Sequence, residues 1–178
     1  SKGVPGKNMR LINGKPLLSY TYDWALNLNI FDTIFISTDC PITLEYGIQK
    51  GAKNTYLRTN NNFDKQSASD LIMSHQSNKT LNIKKYNYIW YLQPTSPIRN
   101  KQMGEKIIDL MNNKNDFDSI VSFIEVPDEY NSNWQFKLNS EGFIKNENHN
   151  LISRRQDLPK SYIRDGRFYI IETSYFLD

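Results

Sequence analysis

Side chains able to do chemistry gather at a few places along the chain, and the first is its opening segment, Ser1-Lys2-Gly3-Val4-Pro5-Gly6-Lys7-Asn8. Gly3, Pro5 and Gly6 make a backbone that can turn tightly around an anion with its N–H groups facing inward. Lys2 and Lys7 supply positive charge where phosphates would sit. The segment is not a Walker A loop: Gly3 and Gly6 are too close together, and Asn8 stands where a Ser or Thr would reach magnesium. The competing reading is an ordinary basic surface turn, because short Gly/Lys segments are common. Further along, Asp39 closes the apolar run Thr33–Thr38. It can accept from a ribose hydroxyl or a base amine, or it can cap the helix that Pro41 opens. Gln93 and Thr95 follow the run Tyr88–Leu92 in the segment Gln93-Pro94-Thr95-Ser96-Pro97. Gln93 offers both a donor and an acceptor, to a polar ligand or to its own loop backbone. The prolines set the path of that loop.

A last concentration is Arg154-Arg155-Gln156-Asp157-Leu158-Pro159, with Arg164-Asp165-Gly166-Arg167 beyond it. Adjacent guanidiniums can grip a carboxylate or phosphate bidentately. Asp157 can instead neutralise one of them in a plain salt bridge, and Arg164 beside Asp165 carries the same ambiguity. The two histidines, His75 on the apolar side of a helical pattern and His149 in a polar stretch, have no Ser or Cys partner recognisable from sequence. A nucleophilic triad therefore has little support.

These groups need a scaffold, and the patterning predicts an α/β one. Thr33–Thr38, Tyr88–Leu92 and Ser119–Ile124 are apolar at nearly every position, as strands buried on both faces are. Helical spacing lies between them: Leu17, Tyr20, Trp24 and Leu28 after Pro16; Leu71, Ile72 and His75 after a cap at Ser67 or Ser69; Met103, Ile107, Leu110 and Met111 as a core stripe. Strands alternating with helices imply a mainly parallel sheet with helices layered on both sides. Beyond Glu125 the pattern changes. Trp134–Leu138 alternates, Asn139–Gly142 is turn chemistry and Phe143-Ile144 resumes, which predicts a β-hairpin with one wet face. Asn146–Asn150 reads as a loop and Arg167–Ile171 as a further strand. One domain over 1–178, with a hairpin insertion over 127–153, is the economical organisation.

Composition narrows the function classes. The chain has 178 residues, 22 Lys+Arg, 19 Asp+Glu, a formal net charge of +3 and a single cysteine, Cys40. That length can bury a core without disulfides. One Cys excludes a disulfide framework, fits a reducing compartment, and with so few His leaves no structural zinc site of the usual kind. No apolar run approaches the ~18–20 residues that cross a bilayer. The charge is weak evidence for nucleic acid, and Trp24, Phe35, Trp90 and Tyr91 sit in apolar runs and not among basic residues.

Taken in order, the motifs resemble those of the acylneuraminate cytidylyltransferases, the CMP-sialic acid synthetases. The resemblance rests on Ser1–Asn8, Gly14-Lys15-Pro16-Leu17, Ile36-Ser37-Thr38-Asp39, Leu92–Arg99 and Arg154–Pro159. It implies a three-layer αβα Rossmann-like nucleotide-diphospho-sugar transferase fold with a β-hairpin dimerisation insertion, and hence a homodimer. The implied activity is joining CMP from CTP to a nine-carbon 2-keto sugar acid, N-acetylneuraminate or a related nonulosonate such as legionaminate, with release of pyrophosphate in the cytoplasm. Carried over by motif, Lys7 and Lys2 are the expected catalytic cations, and Ser1, Lys2, Gly3, Lys7 and Asn8 hold the nucleotide. Arg58 and Ser67 match positions near the nucleotide, and Asp39 is counted with them. Gln93 matches a residue contacting the sugar, with Thr95 beside it, and Arg155, with Arg154 and Arg164, faces the sugar acid. Magnesium is the implied cofactor. Family members begin with a strand before the Ser-Lys-Gly and carry a later acidic magnesium motif. The chain is accordingly read as cut at both ends, its main metal ligands expected beyond Asp178. The family's usual Asn-Gly-Ala is replaced by Asp165-Gly166-Arg167. The alternatives are another sugar nucleotidyltransferase, using a different NTP or a sugar phosphate, and a non-catalytic nucleotide-binding module.

Overall fold

The computed structural model describes residues 4–58, 68–77, 79–113, 117–145 and 152–177. It divides into two units, one of residues 1–121 with 166–178 and one of residues 122–165.

In the first unit, β1 (Leu11–Ile12) and β2 (Lys15–Pro16) form a short antiparallel hairpin. Asn13 and Gly14 turn it with φ of 50° and 75°, the mirror-image turn that an Asn-Gly pair favours. Pro16 then leads into α1 (Leu17–Leu28), which stops at Asn29 in the left-handed region. The buried face of α1 is wider than the expected stripe. It includes Leu18, Ser19, Thr21, Tyr22 and Ala25, while Tyr20 donates its hydroxyl to Ile12 O at 2.5 Å. The stripe is too narrow because α1 serves two packing clusters, one through Trp24 and Ala25, the other through Tyr22.

β3 (Phe35–Thr38), α2 (Pro41–Gln49) and β4 (Asn54–Leu57) form a β-α-β unit whose strands pair in parallel, Phe35 opposite Asn54 and Thr38 opposite Leu57. Alternation along β3 sends its side chains to opposite faces. Ile36 packs with Tyr22 of α1 and Ala52, and lies 2.9 Å from where a Cβ on Gly47 of α2 would be. Phe35 and Ser37 face His75 of α3 (Ala68–Ser77). Helices on both faces of β3 make the three-layer αβα arrangement.

β5 (Tyr88–Tyr91) leads to α4 (Lys101–Asn112), capped where Asn100 Oδ1 accepts from Met103 N at 2.9 Å. β6 (Ser119–Glu125) and β9 (Tyr162–Glu172) complete a three-stranded sheet in the order β5-β9-β6. β9 is longer than the Arg167–Ile171 run suggests and runs antiparallel to β5, Tyr88 opposite Glu172 and Tyr91 opposite Tyr169. The larger core gathers Trp24, Ala25, Ile107, Phe168 and Ile170; burying a side chain such as Phe168 stabilises the fold by about 2–3 kcal/mol. Gly104 lets α4 meet α1 closely, since a Cβ there would fall 2.6 Å from Leu28 Cδ1. α5 (Thr173–Leu177) follows β9. Among the described residues no helix is long and apolar enough to cross a membrane.

In the second unit, β7 (Lys137–Leu138) and β8 (Ile144–Lys145) form the expected hairpin about Asn139–Gly142, but a shorter one. Trp134 is not in its strand. Ser132–Trp134 is a 3₁₀ turn in which Asn131 Oδ1 accepts from Asn133 N, and Trp134 donates its indole N–H to Ile152 O at 2.6 Å. Asn131, 1% exposed, donates to Pro159 O. These anchors take Trp134 out of the alternating run.

Candidate functional site

The opening motif is described from Val4 onward; Ser1, Lys2 and Gly3, like Ser67, lie outside the described residues. Gly6 takes φ 64°, ψ 17° and starts a 3₁₀ turn over Lys7–Met9. Its glycine is required by conformation and not by crowding, as nothing lies within 4 Å of a built Cβ. Lys7 N donates to Val4 O and Met9 N to Gly6 O, and Leu17 N donates to Arg10 O at 3.0 Å, tying the turn to the start of α1. The turn packs against α1 and α2. Lys7 forms no ion pair with a carboxylate among the described residues. Asn8 Oδ1 is buried with no hydrogen-bond donor among the described residues, an acceptor that costs free energy until something donates to it.

At the carboxyl end of β3, Asp39 is half-exposed and does not cap α2. Cys40 occupies the cap position, its N–H donated to Thr38 Oγ1 at 3.1 Å. Asp39 instead lies 3.6 Å from Arg58 Nη2. The Arg58 side chain, 15% exposed, donates from Nη1 to Ser37 O at 2.9 Å and to Ser37 Oγ at 3.1 Å. Its backbone N–H reaches Thr38 O.

His75 has the serine partner that sequence reading did not find. It is 3% exposed, with Nε2 2.8 Å from Ser37 Oγ and Nδ1 3.0 Å from Thr80 Oγ1. Its ring stands edge-on to Phe35 and Tyr56, each at 4.8 Å between centroids. Burial, and then the nearby Arg58 charge, hold the imidazole below the usual histidine range. This is not a nucleophilic pair. Ser37 Oγ is already committed to Arg58, and Thr80, not a carboxylate, orients the ring.

The loop after β5 is a turn in which Ser96 N donates to Gln93 O at 3.1 Å, with Pro94 and Thr95 at its corners and Thr95 exposed. Arg99, which closes the Leu92–Arg99 motif but has no role assigned from sequence, braces it. Arg99 is 9% exposed. It donates to Gln93 O, to Arg167 O from both Nε and Nη2, and to Thr21 Oγ1 at 2.8 Å. Gly166, at φ 75°, passes so close that a Cβ would fall 2.7 Å from Ser96 Oγ and 3.1 Å from Gln93 Oε1.

Arg154, Arg155 and Arg164 belong to the second unit and are exposed. Arg154 pairs with Asp157 at 2.6 Å, one of the ordinary bridges the sequence allowed. Arg155 pairs with Asp128, whose carboxylate pushes the guanidinium further above its already high range. Asp165, the departure from the family motif, accepts from Ser122 Oγ at 2.5 Å. Among the described residues no group of three His, Cys, Asp or Glu side chains could hold a metal ion.

Set beside known proteins, this arrangement has clear kin. A family model described as Cytidylyltransferase matches residues 1–176. The pseudaminic acid cytidylyltransferase of Campylobacter jejuni subsp. jejuni serotype O:2 is 30% identical over 184 residues, covering 100% of this chain and 76% of that protein. The N-acylneuraminate cytidylyltransferase of Streptococcus agalactiae serotype V is 30% identical over 184 residues, covering 99% of this chain and 42% of that protein. A solved structure of CMP:2-keto-3-deoxy-manno-octonic acid synthetase complexed with CTP shares the fold, with a TM-score of 0.70 at 15% identity over 99% of this chain and 71% of that one. The strand-end loops, the glycine turn and the kinship agree: the chain belongs to the cytidylyltransferase family, on the acylneuraminate-type branch of these nucleotidyltransferases.

Proposed function

We propose that the protein activates a nine-carbon 2-keto sugar acid with CTP. The anomeric oxygen attacks the α-phosphorus, the bond from that phosphorus to the bridging oxygen breaks, the hydroxyl proton is released, and pyrophosphate leaves. Such a transfer asks the protein for positioning and for cationic screening of the leaving group, with little covalent help. The observation that carries the reading is the Lys7 turn, a left-handed glycine bend presenting, among the described residues, a lysine with no carboxylate partner and a buried amide oxygen with no donor. Lys7, with Lys2, screens the phosphates; Asn8 Oδ1 accepts from the nucleotide, with Ser1, Gly3, Asp39, Arg58 and Ser67 as its other contacts. Gln93 and Thr95 meet the sugar, and Arg154, Arg155 and Arg164 its carboxylate. Magnesium, carried in with the triphosphate, would add to the charge screening that Lys7 supplies; among the described residues no group of three His, Cys, Asp or Glu side chains would hold it without the nucleotide.

The second unit supports a homodimer. Phe136, Leu138, Phe143 and Ile144 are more than half exposed, and an open hollow of about 490 Å³ is walled in part by Ile124, Val126, Tyr130 and Ile163. A cytoplasmic setting suits the free Cys40 and the CTP substrate.

Pyrophosphate release measured with each of the four NTPs, against a panel of nonulosonates and sugar phosphates, tests the reading. Turnover confined to CTP and a nonulosonate is expected, from a protein that sediments as a dimer. Activity only with GTP and a sugar phosphate, or nucleotide binding without turnover, would replace it. Lys7→Ala should fold and lose nearly all turnover; near-normal rates would remove the turn from the mechanism.

A further inference from the structure

His75, a polar side chain only 3% exposed, takes no part in the transfer itself and is set in a row of hydrogen bonds that ends on Arg58. The direction of each bond follows from the donors available. Thr80 Oγ1 donates its one proton to His75 O at 3.1 Å, so toward the ring it can only accept, and Nδ1 must carry the imidazole hydrogen. Nε2 of the neutral ring is then an acceptor, and the one hydroxyl facing it, at 2.8 Å, is Ser37. With its proton given to Nε2, Ser37 Oγ presents its lone pairs to Arg58 Nη1 at 3.1 Å. The opposite tautomer would force Thr80 off the His75 carbonyl and turn the Ser37 hydroxyl away from the imidazole.

We propose that His75 is a positioning residue: as the Nδ1–H tautomer it draws the Ser37 proton toward itself and so fixes Ser37 Oγ as the acceptor that aims the Arg58 guanidinium. The relay runs one way, from Arg58 through Ser37 and His75 to Thr80, and Ser37 O and Asp39 hold the same guanidinium from its other sides. The functional part of this proposal rests on the nucleotide-binding reading of Arg58. Among the described residues, the groups facing the ring are Phe35 and Ser37 on β3, Tyr56 on β4 and Arg58 just after it, with Thr80 beyond α3. A proton added at Nε2 would therefore meet Ser37 Oγ already engaged by Arg58, and would place a second cation beside that guanidinium. Acid should undo the aim of Arg58.

The sign for stability follows. The folded ring holds its proton less tightly than the unfolded one, so its contribution is complete above the unfolded value of about 6.5. It is lost as pH falls below that value toward the folded one, where the unfolded chain binds the extra proton.

Nitrogen NMR of the whole chain tests the relay directly. A protonated Nδ1 and a bare, pyridine-like Nε2 on His75 at neutral pH are expected, and the reverse assignment overturns the proposal whatever the activity. Kinetics test the consequence. His75→Phe keeps a ring between Phe35 and Tyr56 but removes the acceptor, and should raise KM for CTP about tenfold with kcat little changed. The parent should show KM for CTP rising on the acid side, and His75→Phe should abolish that rise. His75→Gln, which restores an acceptor, should recover most of the loss, and Ser37→Ala should reproduce it. Folded His75→Phe and Ser37→Ala proteins with parental KM for CTP would overturn the proposal. A parent protein that turns over no CTP would instead sink the reading of Arg58 as a nucleotide contact, while the nitrogen spectrum still decides the relay.

Discussion

Arg58 and Arg99 in the first unit and Arg154 and Arg155 in the second carry the same side chain into opposite settings. The first pair is largely buried and tied chiefly to backbone carbonyls and hydroxyls: Ser37 O and Oγ for Arg58, with the Asp39 carboxylate farther off at 3.6 Å, and Gln93 O, Arg167 O and Thr21 Oγ1 for Arg99. The second pair is mostly exposed, at 67% and 74%, and tied to the carboxylates of Asp157 and Asp128. A carbonyl held in a strand or turn cannot leave, so the buried guanidiniums are aimed before any ligand arrives. An exposed carboxylate can be exchanged for a ligand's carboxylate at small cost, because water screens both. The first unit is thus built to hold a fixed geometry and the second to trade partners.

Truncating Arg99 should give the largest effect. Arg99→Ala leaves the Gln93 and Arg167 carbonyls and the Thr21 hydroxyl without this donor inside the protein, and costs about 3 kcal/mol or more. For a chain of this size that lowers the melting midpoint by about 6–12 °C. Arg99→Lys should rescue little, since one ammonium cannot span acceptors set around a planar fork. A midpoint no lower than that of Arg154→Ala would break the contrast. Gly166→Ala should come next. A side chain at φ 75° costs about 1–2 kcal/mol, and the new methyl must also displace Ser96 Oγ and Gln93 Oε1. Denaturant unfolding should show that loss, and KM for the sugar acid should rise while KM for CTP holds. Unchanged sugar-acid KM in a destabilised protein would mean that Gln93 is not held for the sugar.

The same contrast separates what was legible in the sequence from what was not. β3 and β5 announce themselves because strands covered by their neighbours are apolar at consecutive positions; β6 is as apolar, yet Phe123 and Ile124 are about half exposed, and the α4 stripe holds at Met103, Ile107 and Met111 but not at Leu110, which is 57% exposed. β4 is hidden: Asn54-Thr55-Tyr56-Leu57 is short and mixed, and becomes a strand by pairing with β3. The Asn13-Gly14 hairpin carried a local signal, an Asn-Gly pair with positive φ at both residues. The candidate loops were legible because Gly, Pro and paired Arg are local chemistry. The braces behind them were not. His75 and Ser37 are 38 residues apart and Arg99 and Arg167 are 68 apart, so only the fold joins them. A buried arginine or histidine is also the placement composition argues against. Trp134 misled for the opposite reason: its alternation is real, but its indole N–H is satisfied by Ile152 O and not by a place in the hairpin.

Asp128→Asn isolates the exchange itself. The Arg155–Asp128 pair is exposed on both sides, so removing its charge should leave the melting midpoint where it was. What changes is competition. If Asp128 holds the guanidinium only until a sugar carboxylate arrives, the neutral amide holds it less well. KM for the sugar acid should then fall, by about two- to fivefold, most visibly at low ionic strength where screening is weakest. KM for CTP should not move. A rise in sugar-acid KM would mean that Asp128 orients Arg155 as Ser37 orients Arg58, and the second unit would then be as fixed as the first.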